Sequence, residues 1–134
     1  LAIMIQTLKL HGTDKQLYRL VGPLVMDPEI LKSNNNYPFK TTDQFLWFIA
    51  INGKEVVGFI PVEKRGGNII MNNYYFNRGG EEAFSRLLVD ALAVFDEEKN
   101  VYAVVQIQHR MIFEKYGFKI EKSWKQYIKM RRSE

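Results

Sequence analysis

Near Asn77, the pattern of hydrophobic and polar positions changes from one typical of a strand to one typical of a helix. Before that point, residues 68–76 are rich in aromatic and β-branched side chains, which suit a pleated surface and predict a strand. After it, apolar residues recur at intervals of three and four, which predicts a long helix from Glu81 with one buried face. The side chains predicted to be buried on that face are Phe84, Leu87, Leu88, Ala91, Leu92 and Phe95.

The N-terminal part of the chain predicts one strand followed by two short helices. Residues 3–8 alternate loosely, as a strand does, and Thr13 or Asp14 can cap the helix that follows. Pro23 interrupts the helical pattern, so the helix is expected to kink or restart there. Pro28 stands where a second helix is expected to begin, because proline fits the first helical position.

The middle of the chain predicts a β-hairpin. The apolar run 45–51 is expected of a strand covered on both faces. The Asn52-Gly53 pair that follows favours a type I′ turn, which needs a positive φ at both central residues. The returning strand, 55–64, contains Gly58 and Pro61, and proline cannot donate to the ladder. A bulge or a local edge is therefore expected in this strand.

The C-terminal part predicts a strand over 101–105, a helix over 108–116 that stops at Gly117, and two final strands over 118–121 and 126–130. The order of elements is then β-α-α-β-β-β-α-β-α-β-β. Hairpins followed by a strand-helix-strand crossover predict an α/β domain of the mixed α+β kind, with a central, mostly antiparallel mixed sheet and helices on both faces.

Composition and length narrow the possible classes of protein. A chain of 134 residues with 46% apolar and 25% charged residues is ordinary for one globular domain. There is no cysteine, which excludes disulfides and a thiol nucleophile, and the two isolated histidines, His11 and His109, do not predict a metal site. The apolar run 1–5 is too short for a signal peptide and no run could span a bilayer, so a cytoplasmic protein without membrane contact is expected.

The net charge of +4 is unevenly distributed. Basic residues concentrate near the C-terminus, where the only acid among them is Glu121. Such a stretch can attract nucleic acid or a polyanionic cofactor, and it can equally be the solvated side of a terminal hairpin. The basic residues are Lys115, Lys119, Lys122, Lys125, Lys129, Arg131 and Arg132.

The loop between the central strand and helix is a candidate phosphate site. It reads Asn77-Arg78-Gly79-Gly80, and its glycines allow a sharp turn and a close approach to a ligand. The helix N-terminus that follows presents free amide hydrogens and a positive dipole end, which suit phosphate. The alternative is an ordinary turn between a strand and a helix.

Three motifs resemble one family of enzymes when they are taken in order. They are Val57-Gly58-Phe59 after the hairpin, Arg78-Gly79-Gly80 in the loop, and the helix ending Ile112-Phe113-Glu114-Lys115-Tyr116-Gly117-Phe118. The last is similar to the Tyr-Glu-Lys-Leu-Gly-Phe ending of the fourth helix in the GNAT superfamily of N-acetyltransferases, and Tyr127-Ile128-Lys129-Met130 is similar to its closing strand. The resemblance covers nearly the whole chain and implies a single acyl-CoA N-acyltransferase-like domain over residues 1–134.

The resemblance implies transfer of an acetyl group from acetyl-CoA to an amine by direct attack. It also implies that the strand before the loop is bulged and splays away from the next strand. The pantetheine is then expected in the opening, beside Tyr74, Tyr75 and Phe76, with oxyanion stabilisation from strand amides near Tyr75. The pyrophosphate is expected on the loop and the first helical turn, around Arg78, Gly79 and Gly80.

The sequence departs from the family pattern at three places. Glu81 stands where the loop usually has its central glycine, Phe113 replaces the tyrosine that commonly protonates the departing thiolate, and Gln106 replaces an asparagine after the fifth strand. Tyr116 and His109 are the remaining candidates for the general acid. Tyr116 can equally be a core aromatic and His109 a solvated side chain, and water can also supply the proton.

The predicted function is therefore an N-acetyltransferase that uses acetyl-CoA and a small-molecule or peptide amine. The first alternative is a non-catalytic GNAT-like module that binds acyl-CoA or a partner. The second is a basic protein associated with nucleic acid, suggested by the C-terminal basic stretch and Trp124, and it is not favoured. The general base is unassigned, because Glu63 is the nearest candidate and can equally be a surface carboxylate. The sequence leaves open whether the protein is a monomer or a homodimer.

Overall fold

The computed structural model describes residues 5–133, and their order of elements agrees with the prediction except in the fourth predicted strand, 68–76. Residues 1–4, and with them the start of the predicted strand 3–8 and most of the run 1–5, lie outside the described residues. The strands are β1 Ile5–His11, β2 Phe45–Asn52, β3 Glu55–Arg65, β4 Asn68–Met71, β5 Tyr75–Phe76, β6 Val101–Gln106, β7 Phe118–Ser123 and β8 Tyr127–Arg132. The helices are α1 Lys15–Val25, α2 Pro28–Ser33, α3 Glu81–Val94 and α4 Arg110–Glu114, with a 3₁₀ turn at Ile107–His109.

The strands form one mixed sheet in the order β1-β2-β3-β4-β6-β8-β7, with β5 paired to β3. Every pair is antiparallel except β4 with β6, which is parallel because α3 forms the crossover between these strands. The predicted α+β class and the mostly antiparallel mixed sheet are therefore confirmed.

The helix starts agree with the sequence, but the position of the interruption does not. Asp14 caps α1 and Asp27 caps α2, and each aspartate accepts a backbone N–H at 2.8 Å. The predicted restart of the helix at Pro23 was wrong, because α1 continues through Pro23 to Val25. The next helix begins at Pro28.

The hairpin after β2 is confirmed, but its turn is of another type. Asn52 is still paired with Glu55, so the two central residues are Gly53 and Lys54. Gly53 has a φ of 65° and is the central residue with a positive φ, which is the arrangement of a type II′ turn. The expected bulge in the returning strand is observed, because the register shifts where Ala50 pairs with Gly58.

The predicted strand 68–76 is broken into β4 and β5. Asn73 between them has a φ of 56°, a left-handed conformation that interrupts an extended strand. Pro61 of β3 lies opposite the break, and its carbonyl accepts the Asn72 amide at 3.4 Å. Because Pro61 has no N–H to give on that edge, a regular ladder cannot continue past it.

The last predicted helix is shorter than expected. Residues 108–116 contain the end of the 3₁₀ turn and then α4, which has only five residues. The predicted helix end was late, because α4 ends at Glu114 and a turn leads to Gly117, whose φ is 91°.

The two faces of the sheet are covered by different helices. On one face, all six side chains predicted for the buried side of α3 are buried in the main core. On the other face, α1 packs with Leu17 and Val21 on a smaller cluster built from β1, β2, β3 and β5. None of the helices within residues 5–133 has the length and apolar character needed to cross a membrane.

Candidate functional site

The first feature of the site is a gap between β5 and the end of β6. β4 pairs with β6 only from Ile69–Met71, opposite residues 101–103. Past the break, β5 pairs with β3 alone, so residues 104–106 of β6 have no strand beside them on this edge. The splaying that the resemblance implies is therefore observed, and it follows a full break in the strand.

The side chain of Tyr74 spans the base of this gap. Tyr74 is 5% exposed, and its hydroxyl oxygen accepts the backbone N–H of Gln106 at 3.0 Å. The same hydroxyl lies 2.6 Å from Nδ1 of His109. The gap is thus closed at its base by a side chain, and open above it.

A cavity of about 280 Å³ remains in the upper part of the gap. It brings together the predicted residues Tyr74, Tyr75, Phe76 and His109 with Gln106. Ser33 and Gln108 also line it, and sequence reasoning missed both of them. Gln106 Nε2 donates to the Ser33 carbonyl at 3.2 Å, which holds Ser33 at the cavity. The two residues are 73 positions apart, so no local sequence pattern indicates this contact.

The hydrogen bonds of Tyr74 favour one tautomer of His109. Gln106 donates to the Tyr74 oxygen, so Nδ1 of neutral His109 is the acceptor that the hydroxyl hydrogen has within residues 5–133. Nε2 then carries the ring hydrogen. That nitrogen has no hydrogen-bond partner among residues 5–133, and it is not buried.

Burial sets the charge of this pair. It lowers the pKa of His109, and the carboxylate of Glu81 opposes that shift in part. Burial also raises the pKa of Tyr74 above its usual range, against the effect of the Gln106 amide. Both side chains are therefore neutral near pH 7, and His109 offers a neutral N–H donor to the cavity.

The backbone of β5 supplies a second donor to the gap. Asn77 donates to the carbonyl of Val57 at 2.9 Å, so Gly58 and Phe76 form the next, non-hydrogen-bonded pair of this antiparallel ladder. The Phe76 amide consequently points away from β3, toward the gap. It directly follows Tyr75, near which oxyanion stabilisation is expected.

The loop after β5 is a tight turn that leads into an uncapped helix. Gly80 donates to the Asn77 carbonyl at 2.8 Å, and Gly79 has a φ of 80°. A Cβ on Gly80 would meet the side-chain oxygen of Asn77 and lie 3.0 Å from its carbonyl oxygen, so only glycine fits. No side chain caps α3. Within residues 5–133, the amides of Glu81, Glu82 and Ala83 have no acceptor.

The predicted loop residues do not share the cavity of the gap. Arg78, Gly79 and Gly80 line a separate cavity of about 480 Å³ on the flank of the loop that faces the β2–β3 hairpin. The six residues predicted to hold the cofactor are therefore divided three and three between neighbouring cavities. From the first turn of α3, Glu82 and Ala83 line the cavity beside the loop and not the cavity of the gap.

Tyr116 lies away from the gap. It lines a surface cleft of about 650 Å³ between α3 and α4, and Arg132 donates to its backbone carbonyl at 3.3 Å. Three acids and two cations line that cleft, which disfavours a phosphate there. They are Glu81, Glu82, Asp90, Arg86 and Lys115.

Two further residues singled out in the sequence have structural partners. Phe113 is fully buried and packs against Tyr74, Phe84 and Phe118, so it offers no proton to the gap. Glu63 pairs with Arg65 at 2.9 Å and lines a cavity on the opposite face of the sheet. The structure brings His109 to the gap and leaves both Tyr116 and Glu63 outside it.

Comparisons with known proteins identify the fold. The chain superposes on Escherichia coli ElaA and on an acyl-CoA N-acyltransferase from Pseudomonas aeruginosa, each with a TM-score of 0.73 and 16% identity over 97% of this chain and 100% of the other. It is also similar to PaiA N-acetyltransferase from Thermoplasma acidophilum in complex with coenzyme A, with a TM-score of 0.65 and 15% identity over 98% of this chain and 100% of the other. No protein-family model matches the sequence, and no curated protein matches it. The chain has the fold of the GNAT N-acyltransferases.

Proposed function

We propose that the protein is an N-acyltransferase that moves an acetyl group from acetyl-CoA to an amine by direct attack. The observation that carries this proposal is the gap between β5 and β6, where a neutral histidine N–H and a strand amide face one cavity. Acetyl-CoA supplies a thioester, whose oxygen and sulfur both gain negative charge as an amine attacks. A site that offers neutral donors to those two atoms suits this reaction.

The residues of this chain take distinct parts in the proposal. The Phe76 amide stabilises the developing oxyanion. His109 donates a hydrogen bond from Nε2–H to the departing sulfur, while Tyr74 holds the ring in that tautomer from the other side. The C–S bond breaks as the new C–N bond forms, and the sulfur leaves as a thiolate that takes its proton from water. His109 keeps its own proton, because a neutral imidazole is a far weaker acid than a thiol, and the acylated amine loses its extra proton to water. We assign this role to His109 over Tyr116 because only His109 lines the gap.

The loop and the first turn of α3 fit a phosphate in shape and in donors. Gly80 leaves no space for a side chain and Gly79 takes the left-handed conformation. The first three amides of α3 have no acceptor among residues 5–133. Arg78 is exposed and can add a charge-assisted contact. Glu81 and Glu82 weaken this fit, because their carboxylates lie in the same helical turn.

Calorimetry with coenzyme A and with acetyl-CoA tests the cofactor half of the proposal. We expect saturable heat at submillimolar concentration, and a thiol-release assay over a panel of amines then tests turnover. Gly80→Ala should weaken binding about tenfold or more, since the loop must shift to admit a Cβ. Gly67→Ala is the matched control, because a Cβ there meets no atom within 4 Å. No heat with either ligand would refute the proposal.

A second function is favoured by one specific arrangement. Phe113 is buried at the position of the family's usual tyrosine, and Tyr74 fills the base of the gap. Both features suit a GNAT-like module that binds acyl-CoA without turnover. Binding of coenzyme A in the calorimeter, with no thiol released for any amine, would select this alternative.

A further inference from the structure

The sheet face opposite α3 is covered over only part of its width. The cluster beneath α1 takes its strand residues from β1, β2, β3 and β5. Farther along the same face, the strand registers place Ile70 beside Tyr102 and Val104 beside Lys129. Asn72 follows the end of β4 and lines the same cavity. These five residues form the floor of what we call the open groove.

The open groove consists of two adjoining cavities and ends beside the gap. The cavities measure about 830 Å³ and about 300 Å³, and Lys40, Asn72, Asn73 and Val104 line both of them. Asn73 borders the groove, and the next residue, Tyr74, borders the gap. Asn34 is 3% exposed and donates to the Asn73 side chain at 3.0 Å, so the chain is held in place at this border.

Positive charge predominates around the open groove. Lys40 and Lys125 line its larger cavity and have no ion-pair partner within residues 5–133. Lys129 lies 4.6 Å from the centre of the Tyr102 ring and pairs with Glu121 at its outer end. Among the residues that line the groove, Glu63 is the only acid, and Arg65 neutralises it.

We propose that the open groove binds the acceptor, and that the acceptor is a small amine that also carries an anionic group, a carboxylate or a phosphate. This inference rests on the proposed function, since it names the class of acceptor for that reaction. Unpaired lysines at the rim attract an anion and repel a second ammonium group. The groove ends at the gap, so an acceptor anchored there by its anion can extend its amine toward the reacting atoms.

A series of amines with one chain and different ends tests the class of acceptor. Hexylamine, diaminohexane, aminohexanoate and aminohexyl phosphate share the same primary amine and differ only in the far group. With saturating acetyl-CoA, we expect kcat/KM for an anionic member to exceed that of diaminohexane by about tenfold or more. The ratio between aminohexanoate and aminohexyl phosphate distinguishes the two anions. Equal values across the series, or a preference for diaminohexane, would overturn the inference.

A pair of charge reversals locates the effect in the groove. Lys40→Glu with Lys125→Glu should abolish the preference for the anionic amines over diaminohexane, because the reversed charges repel an anion and attract a second ammonium group. The matched control is Lys54→Glu with Lys99→Glu, which makes the same change of net charge at exposed positions outside the groove. A preference that survives in the first variant, or disappears in the control, would contradict the proposed site.

A binding measurement separates this inference from the proposed function. Trp124 is 46% exposed and lines the groove, whereas Trp47, the other tryptophan, is 2% exposed in the core. Titration with aminohexanoate, without any acyl donor, should change the Trp124 fluorescence, and the double reversal should remove that change. Such binding together with no heat from coenzyme A would refute the function and keep the groove as an anion site. No binding preference for aminohexanoate over diaminohexane, or tighter binding of a single-stranded oligonucleotide, would refute the groove inference itself.

Discussion

β4 and β5 come from one predicted strand, yet they are held in different ways. β4 lies between β3 and β6 and pairs with both, so backbone bonds fix its two edges. β5 pairs with β3 alone. On the side of β5 that has no partner strand, the Gln106 amide of β6 donates to the hydroxyl of Tyr74 and not to a strand carbonyl. A side chain can thus replace a ladder bond and keep two strands apart without leaving a buried amide unpaired.

The largest expected effect comes from removing the side chain that spans the gap. Tyr74→Ala deletes a buried ring that packs against Phe76, Phe84 and Phe113, and it should lower the free energy of unfolding by about 3–5 kcal/mol. Tyr75→Ala, one residue farther along the chain, removes a half-buried ring on the other face and should cost about 1–2 kcal/mol. Denaturant unfolding measures both. Equal losses would mean that Tyr74 has no special place in the fold.

The next effect concerns the reaction. His109→Leu removes the donor from the cavity at similar volume, and it should lower kcat about 100-fold, or about 2.7 kcal/mol, with little change in KM for acetyl-CoA. The control is His11→Leu, because His11 is the other histidine of the chain and lies at the exposed end of β1. If both variants kept the kcat of the unaltered protein, the role given to His109 would be wrong.

Local signals account for the parts of the fold that the sequence predicted. Asp14 and Asp27 cap the helices that begin directly after them, and Gly117 completes the turn after α4 with a positive φ. The face of α3 follows from spacing along one element. Each of these features depends on neighbours in sequence, and therefore a single chain suffices to predict it.

The break in the central strand depends on residues that are distant in sequence. Pro61 lies 11 positions before Asn72, and the partners of Tyr74, at Gln106 and His109, lie 32 and 35 positions after it. A strand of aromatic residues gives no sign of such partners. The adjacent Asn72 and Asn73 were the available local signal, since asparagine tolerates the left-handed conformation that Asn73 adopts. The roles given to the candidate site residues of β5 and the loop remain predictions.

A smaller effect isolates the hydroxyl from the ring. Tyr74→Phe keeps the packing and leaves the Gln106 amide without its acceptor, so it should cost about 1–3 kcal/mol of unfolding free energy. Tyr75→Phe removes a hydroxyl that has no hydrogen-bond partner within residues 5–133, and it should cost less than about 0.5 kcal/mol. Faster hydrogen exchange of the Gln106 amide in the first variant alone would support the contrast. Similar losses of unfolding free energy in the two variants would show that the Tyr74 hydroxyl does not stabilise the fold through Gln106.

The smallest expected effect is a dependence of stability on pH, which arises from His109 and its contact with Tyr74 next to β5. Burial lowers the pKa of His109 in the folded protein below the value of about 6.5 that it has in the unfolded chain. The unfolded chain therefore binds more protons in the range just below pH 6.5, and the free energy of unfolding should fall as the pH is lowered through that range. The fall is complete once the pH is below the folded-state pKa. Denaturant titrations at pH 7.5 and at successive lower values measure this slope, which His109→Leu should reduce and His11→Leu should retain. A slope that His109→Leu leaves unchanged would show that protonation of this buried pair does not oppose folding.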